Sequence, residues 1–270
     1  MSDRPEPGLE PDLDRANAAR MYDYLLGGSL NFAVDRDAAE NALAHYPHLR
    51  DVAQSNRRFL GRAVRWCLDD GVHQFLDLGS GIPTAGNVHE IAHRSDPAAR
   101  VAYVDNEPVA VQASRTVVAD LDTVSITRAD LRTPAAVLGA PTVTGLLDLD
   151  RPVAVIAVAV LHFVPGDLAE LLDAYRAVLA PGSVVVLSHS SDDVDDPALA
   201  RQVREAAATY ANTSTSATLR TRAEIVAALG GADRLVGPGL VDVVDWPRAE
   251  PGTDRTGIYG AVARVATAAR

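Results

Sequence analysis

Apolar segments of strand length alternate with segments of helical pattern through most of this chain, and this alternation restricts its possible folds. The first clear strand, Gln74 to Leu78, runs into Gly79-Ser80-Gly81, and a helix is predicted soon after Pro83. Further strands are predicted at 101–105, 125–129, 152–161, 183–189, 240–244 and 258–265, with helices between them. Strands that alternate with helices predict an α/β fold with a doubly wound, mostly parallel sheet of seven strands. The last two strands are candidates for an antiparallel edge.

The chain divides by composition into three parts. Residues 1–13 carry four acids and three prolines, which is typical of a disordered or loosely ordered tail. Residues 14–71 contain three predicted helices (17–26, 35–45 and 49–69) and are expected to form an N-terminal helical cap. Residues 72–270 are expected to form the Rossmann-like domain.

Charge and composition exclude several function classes. The net charge is −11, and the basic residues are all arginine, so Schiff-base chemistry and a P-loop lysine are impossible within this chain. An acidic surface argues against nucleic acid as a partner. No apolar run reaches the length of a membrane span and the polar N-terminus is no signal peptide, so we expect a cytoplasmic protein with no membrane partner.

The residues offer no persuasive metal site. The single cysteine, Cys67, excludes an intrachain disulfide and a cysteine-built metal centre. The histidines form no ligand set, and helix faces and loops explain their positions. We therefore predict no bound metal.

The glycine turn after the first strand is a candidate ligand cradle, because glycines let the backbone approach a ligand closely. Compared with the dinucleotide fingerprint G-x-G-x-x-G, the third position is Thr84, which counts against a nicotinamide cofactor. The second strand ends in Asp105, where a carboxylate can accept hydrogen bonds from both hydroxyls of a ribose; an exposed acid at a strand end is the alternative. After the third strand, Asp130 and the N–H of Leu131 are placed to read the exocyclic amine and a ring nitrogen of adenine, with a plain helix N-cap as the alternative role of Asp130.

Four segments in succession resemble the motifs of class I S-adenosylmethionine-dependent methyltransferases: DLGSG, YVDNEP, ADLRTP and AVLHFVPGDLAELLDAYRAVLAPGS. The N-terminal segments ARMYDYLLGG and NFAVDRDAAE are similar to a narrower group, the S-adenosyl methyltransferase family formerly called DUF574. The similarity continues through SNRRFLGRAVR, GIPTAGNVHE and GLVDVVDW. The resemblance implies S-adenosyl-L-methionine as cofactor.

The resemblance also assigns cofactor-binding residues by position. It implies contacts with the methionine part by Gly79, Ser80 and Gly81, with the ribose by Asp105 and Asn106, with adenine by Asp130 and Leu131, and with the sulfonium by Ala159 and Val160. In the N-terminal segment, Arg20 is expected to pair with the cofactor carboxylate, and Tyr22 and Tyr24 to close over the cofactor. Packing within the helical cap is the alternative role of these three side chains.

Methyl transfer from a sulfonium depends mainly on aligning donor and acceptor. His162, which follows the fourth strand, is the candidate general base for a hydroxyl acceptor, with His189 and Ser188 as second candidates. A polar residue without a proton role at the crevice rim is the alternative for His162.

The end of the fourth strand lacks the Asn/Asp-Pro-Pro-Tyr/Phe motif of many amino-directed methyltransferases of nucleic acids and proteins. Together with the acidic surface, this favours a small-molecule methyl acceptor. Our hypothesis is therefore a methyltransferase, and the alternatives are a non-catalytic module that binds the same cofactor or a nicotinamide-dependent oxidoreductase. The sequence does not indicate an oligomeric state.

Overall fold

Three helices precede a seven-stranded sheet in the computed structural model, which describes residues 10–84, 86–249 and 254–265. The N-terminal helices are α1 (Ala18–Leu25), α2 (Ala33–His45) and α3 (Leu49–Asp69). The strands are β1 (Gln74–Leu78), β2 (Arg100–Asp105), β3 (Val124–Arg128), β4 (Ala154–Val158), β5 (Val184–Ser190), β6 (Val241–Asp242) and β7 (Ile258–Arg264). The other helices are α4 (Val88–His93), α5 (Pro108–Val117), α6 (Pro134–Leu138), α7 (Pro141–Thr144), α8 (Leu168–Arg176), α9 (Pro197–Thr209) and α10 (Arg222–Ala228). Residues 1–9 of the predicted tail lie outside the described ranges.

The strands lie in the order β3-β2-β1-β4-β5-β7-β6. Strands β1 to β5 pair in parallel, and β7 pairs antiparallel with both β5 and β6. The predicted fold class is therefore confirmed. Strand order reverses between β1 and β4, and this is the point where an open α/β sheet forms a ligand crevice at the carboxyl ends of its strands.

Both faces of the sheet are buried, because alternate strand residues pack into two separate cores. Phe75 and Ile156 lie in one core together with Phe59 and Val64 of α3. Leu76 lies in the other core, which α8 covers. Strand β4 is buried over its first four residues, which fits the apolar, β-branched run from which it was predicted.

A third, smaller core joins the N-terminal helices. Met21 and Leu25 of α1 pack there with Ala39 of α2 and Ala53 of α3. Helix α3 thus packs against the sheet and against α1 and α2 at the same time. The division between cap and α/β domain at residue 71 stays a prediction.

The end of β4 differs from the prediction. The strand was expected to reach Leu161 but ends at Val158, and Ala159 adopts a left-handed conformation with φ of 57°. A short 3₁₀ helix, Leu161–Phe163, follows. The chain turns out of the sheet at Ala159, so the residues after it form a wall of the crevice.

Candidate active site

A cavity of about 470 Å³ lies at the carboxyl ends of β1 to β4, where the strand order reverses. This volume falls in the range that accommodates a small-molecule ligand. The predicted site residues on its wall are Tyr22, Gly79, Ser80, Gly81, Asp105, Asn106, Asp130, Leu131, Ala159, Val160 and His162. Arg20 and Tyr24 are not part of the described wall.

Gly79 brings the turn after β1 against the end of β4. Its φ is 68°, a conformation that favours glycine, and a Cβ at this position would overlap the side chain of Val160. The backbone N–H groups of Gly79 and Ser80 both donate to the Val104 carbonyl, at 2.8 and 3.1 Å. The turn is therefore fixed against two neighbouring strands before any ligand binds.

Asp105 is oriented by two backbone N–H groups. Its Oδ2 accepts from Gly81 at 2.7 Å, and its Oδ1 accepts from Glu107 at 2.8 Å. Burial raises the pKa of this carboxyl, and the backbone N–H donors act in the opposite direction. Each oxygen keeps a second lone pair with which it can accept from a ligand hydroxyl.

Asp130 forms an ion pair with Arg132 in the loop that follows β3. Arg132 Nε lies 3.0 and 2.9 Å from the two carboxylate oxygens, and hydrogen bonding by this side chain holds the pKa of Asp130 below its usual value. The Leu131 carbonyl accepts from Tyr175 Oη at 2.7 Å, which anchors the loop to α8. A ligand amine at Asp130 would share the carboxylate with Arg132.

The predicted role of Arg20 is wrong. Its Nε donates to Asp35 at 2.8 Å, its Nη1 donates to Glu107 at 2.9 Å, and its Nη2 donates to the carbonyls of Asp12 and Arg15. All three nitrogens are occupied in a fully buried position, so this guanidinium ties helices together instead of facing a cofactor carboxylate. No local pattern in the sequence indicates the two acids that surround it.

The two predicted tyrosines lie in different surroundings, and only Tyr22 lines the described cavity. Tyr24 donates to Glu40 at 2.5 Å and packs against the guanidinium of Arg50, away from the cavity. Tyr22 lines the cavity, donates to the Ala53 carbonyl and accepts from Asn56 Nδ2, both at 3.1 Å. Burial raises the pKa of the Tyr22 phenol, which therefore stays neutral at physiological pH. Tyr24 fits the alternative role, packing within the cap.

Sequence reasoning missed two charged residues beside the glycine turn. Asp77 and Arg57 both line the cavity, and Arg57 Nη2 donates to the Gly86 carbonyl at 2.7 Å. Burial raises the pKa of Asp77 to about 7, although the Arg57 charge acts to lower it. The acid two residues before Gly79 in the DLGSG segment was a signal for Asp77, whereas Arg57 lies on a helix about twenty residues earlier.

A hydrogen-bonded chain connects α1 to the left-handed residue at the end of β4. Ala159 N–H donates to Ser188 Oγ at 2.9 Å, and Ser188 Oγ donates to Asn56 Oδ1 at 2.7 Å. Asn56 Nδ2 in turn donates to Tyr22 Oη. Since Ser188 Oγ both donates and accepts in this chain, the structure argues against its alternative role as a base.

His162 lines the cavity at the start of the crevice wall that follows β4. It is 7% exposed, and its Nδ1 has no hydrogen-bond partner among the described residues. Burial lowers the pKa of His162 well below its usual value, and the nearby His189 and Arg220 lower it further. The imidazole is therefore neutral at physiological pH, as a general base must be.

His189 is held in one tautomer by Arg220. Arg220 Nη1 lies 3.1 Å from His189 Nε2, and because a guanidinium only donates, Nε2 must accept. The proton then sits on Nδ1, which donates to the Ser190 carbonyl at 2.7 Å. Both ring nitrogens are occupied, so of the candidate bases only His162 keeps a nitrogen without a partner.

Arg220 also fixes the loop that carries His162. Its guanidinium donates to the carbonyls of Leu161, Val164 and Gly166 at 2.8 to 3.2 Å. No carboxylate pairs with Arg220 in the described part of the chain, so its positive charge acts on the two neighbouring imidazoles.

Comparison with known proteins identifies the family. A family model described as S-adenosyl methyltransferase matches residues 6–266. The chain belongs to the S-adenosyl methyltransferase family. This confirms the resemblance seen in the sequence, and the family's cofactor is the one that the motifs predicted.

Two solved structures resemble this member of the family over nearly their whole length. A candidate methyltransferase from Thermobifida fusca shares 35% identity, with a TM-score of 0.88, over 98% of this chain and 100% of that one. A DUF574 family protein from Streptomyces avermitilis also shares 35% identity, with a TM-score of 0.87, over 94% and 98%. The pyocyanin biosynthetic protein PhzM, at 18% identity and a TM-score of 0.52, shares the fold over 83% of this chain and 59% of that one. No match is found among curated proteins.

The described ranges contain no group of His, Cys, Asp and Glu residues arranged to hold a metal ion. They also contain no helix long and apolar enough to cross a membrane.

Proposed function

We propose that this methyltransferase binds S-adenosyl-L-methionine in the cavity and transfers the methyl group to a small molecule. The observation that supports this most strongly is the order of the site residues along the sheet. Asp130, Asp105, Gly79 and Ala159 lie at the carboxyl ends of β3, β2, β1 and β4, which are consecutive neighbours in the sheet. Adenine, ribose, methionine and sulfonium are joined in the same order in the cofactor.

Arg57 and Asp77 are suited to the two charged groups of the methionine part. A guanidinium binds a carboxylate with charge-assisted hydrogen bonds, and a carboxylate does the same for an ammonium. Asp77 loses solvation on burial, and a bound ammonium would favour its ionised form. We therefore assign Arg57 to the cofactor carboxylate in place of Arg20, and Asp77 to its amino group.

The proposed reaction is an in-line displacement at the methyl carbon. The bond from carbon to sulfur breaks as the bond from carbon to the acceptor atom forms, and the sulfur keeps the electron pair. When the acceptor is a hydroxyl, its proton passes to His162. The sulfonium is a good leaving group, so alignment of donor and acceptor supplies most of the acceleration and the base adds to it.

The test begins with isothermal titration of the cofactor, of S-adenosylhomocysteine and of NAD. We expect micromolar binding of the first two, and a loss of about tenfold or more for Asp105→Ala, because a bidentate contact with the ribose disappears. Asp122→Ala, an exposed acid near β3, is the matched control and should bind normally. Binding of NAD without binding of S-adenosylmethionine would contradict the proposal.

Catalysis is tested with a methyl-labelled cofactor and a cell extract separated into small-molecule, protein and nucleic-acid fractions. We expect label in the small-molecule fraction. His162→Phe should lower the rate by about 10² or more while S-adenosylhomocysteine still binds, and the exposed His48→Phe should have no effect. Label found only in the protein or nucleic-acid fraction would exclude a small-molecule acceptor.

A further inference from the structure

The part of the cavity beyond β4 has an apolar wall. In the proposed orientation the methyl group points past the end of β4, so the acceptor lies on the side of β5, β7 and α9. Six lining residues form this side, which we call the acceptor wall: Tyr46, Leu49, Val52, Val203, Ala206 and Ile258. All of them except Leu49 belong to one buried hydrophobic cluster, and Leu49 packs against it.

The carboxyl and guanidinium side chains of the described cavity wall lie mostly on the cofactor side. Five of them, Asp77, Asp105, Glu107, Asp130 and Arg132, lie near the carboxyl ends of β1, β2 and β3 or in the loops that follow. Arg57 contacts the loop after β1 through the Gly86 carbonyl. These carboxyl and guanidinium groups are thus where the cofactor's own charged and polar groups would lie.

Asp23 of α1 is the exception, and its carboxylate is turned toward the following loop. Its Oδ2 accepts from the Leu30 N–H at 2.9 Å and from Asn31 Nδ2 at 2.8 Å. Its Oδ1 lies against Gly28, where an added Cβ would overlap it. Asp23 therefore fixes the loop after α1 through Oδ2, while its buried Oδ1 has no hydrogen-bond partner among the described residues.

The titratable groups that face the acceptor are neutral. Burial raises the pKa of the Tyr46 and Tyr210 phenols, and His162 has the lowered pKa described above. The polar groups on this side, such as Ser190 and Thr218, are neutral hydroxyls. A charged acceptor would lose its hydration here without gaining an opposite charge, which disfavours its binding.

We infer that the methyl acceptor is an uncharged molecule with a largely apolar body that presents a hydroxyl group to His162. This inference rests on the proposed function, because the orientation of the cofactor decides which wall meets the acceptor. The apolar body would gain from leaving water against Val203 and Ile258. The hydroxyl supplies the one polar contact that the buried imidazole lacks.

Three probes with the same ring system test the inference: 2-naphthol, 2-naphthoate and 2-naphthylmethylammonium. Each is titrated into protein saturated with S-adenosylhomocysteine. We expect 2-naphthol to bind at least tenfold more tightly than either charged probe. Equal or tighter binding of a charged probe, or no binding of 2-naphthol, would overturn the inference.

A pair of adjacent substitutions on α9 locates the binding. Ala207 lines the cavity and is partly exposed, whereas Ala208 is exposed and does not line it. Ala207→Asp should lower the affinity for 2-naphthol at least tenfold and leave the affinity for S-adenosylhomocysteine unchanged. Ala208→Asp should leave both affinities unchanged. Equal effects of the two substitutions on 2-naphthol would overturn the inference. Failure of the wild type to bind S-adenosylhomocysteine would instead contradict the proposed function.

Discussion

Single buried carboxyl groups set the local chemistry of this site, and Asp77 beside the glycine turn is one of them. It lies near the end of β1, and Arg57 and Asp105 are the charged groups that affect its pKa. Burial raises its pKa from 3.8 to about 7, while Arg57 opposes the shift and Asp105 adds to it. The neutral carboxyl is thus favoured in the cofactor-free fold.

This shift predicts how stability depends on pH. An acid whose pKa is raised by folding contributes stability below the unfolded pKa and loses it as the pH rises through the folded pKa. Without cofactor, wild-type stability should fall between pH 4 and pH 7 by up to about 4 kcal/mol relative to Asp77→Asn, which cannot ionise. Urea unfolding of both proteins at pH 5 and pH 8 measures this difference.

The control for this experiment is Asp122→Asn at an exposed position. Its free energy of unfolding should stay parallel to that of the wild type at both pH values. A difference between wild type and Asp77→Asn that is the same at pH 5 and pH 8 would show that Asp77 ionises normally in the fold.

At the scale of elements, the sequence predicts what local patterns encode. The bounds of α3 and β1 match the prediction, because an amphipathic pattern defines α3 and a short, mainly apolar segment before a glycine turn defines β1. The end of β4 does not match, since Ala159 is held in its left-handed conformation by Ser188 on the next strand and Asn56 on α3. A contact between distant segments leaves no local pattern.

The same distinction, between features set by local patterns and features set by distant contacts, applies to the candidate site. Residues at strand ends, such as Asp105 and Asp130, were found because sheet topology brings the carboxyl ends of parallel strands together. Arg57 and Asn56 were missed because they reach the site from a helix, where only the tertiary packing decides which side chains face inward. The role of Arg20 was wrongly predicted for the same reason. Its partner Glu107 is remote in sequence, and its partner Asp35 lies in a helix whose pattern does not distinguish it from other polar positions.

The contact between β4, β5 and α3 predicts a specific effect of Ser188→Ala. This change leaves the Ala159 N–H and Asn56 Oδ1 without their partner, which should cost about 1–3 kcal/mol of stability. Because Ala159 lines the cavity, affinity for S-adenosylhomocysteine should also fall several-fold. Urea unfolding and calorimetric titration measure the two effects.

Ser183→Ala is a matched control for this substitution. Ser183 Oγ accepts from the buried Val153 N–H at 3.0 Å, at the opposite end of the same pair of strands. Ser183→Ala should lower the free energy of unfolding by a similar amount and leave the affinity for S-adenosylhomocysteine unchanged. If both variants bind the ligand like the wild type, the Ser188 contact has only a structural role.

At the scale of the whole molecule, Arg20 connects the N-terminal helices to the sheet. It lies on α1, Asp35 lies on α2, and Glu107 precedes α5 and lines the cavity. Asp35 also accepts from the Asn17 and Phe32 N–H groups, so one ion cluster fixes the start of both helices. Helices α1 and α2 are therefore held to the crevice by buried charge as well as by apolar packing.

Loss of this guanidinium should be costly, because it leaves two buried carboxylates without a cation. We expect Arg20→Leu to lower the free energy of unfolding by about 3–5 kcal/mol. Arg204→Leu removes a partner of the more exposed Asp192, 3.1 Å away, and should cost less than about 1 kcal/mol. Urea unfolding followed by circular dichroism compares the two. Equal costs would mean that the N-terminal helices depend on apolar packing alone.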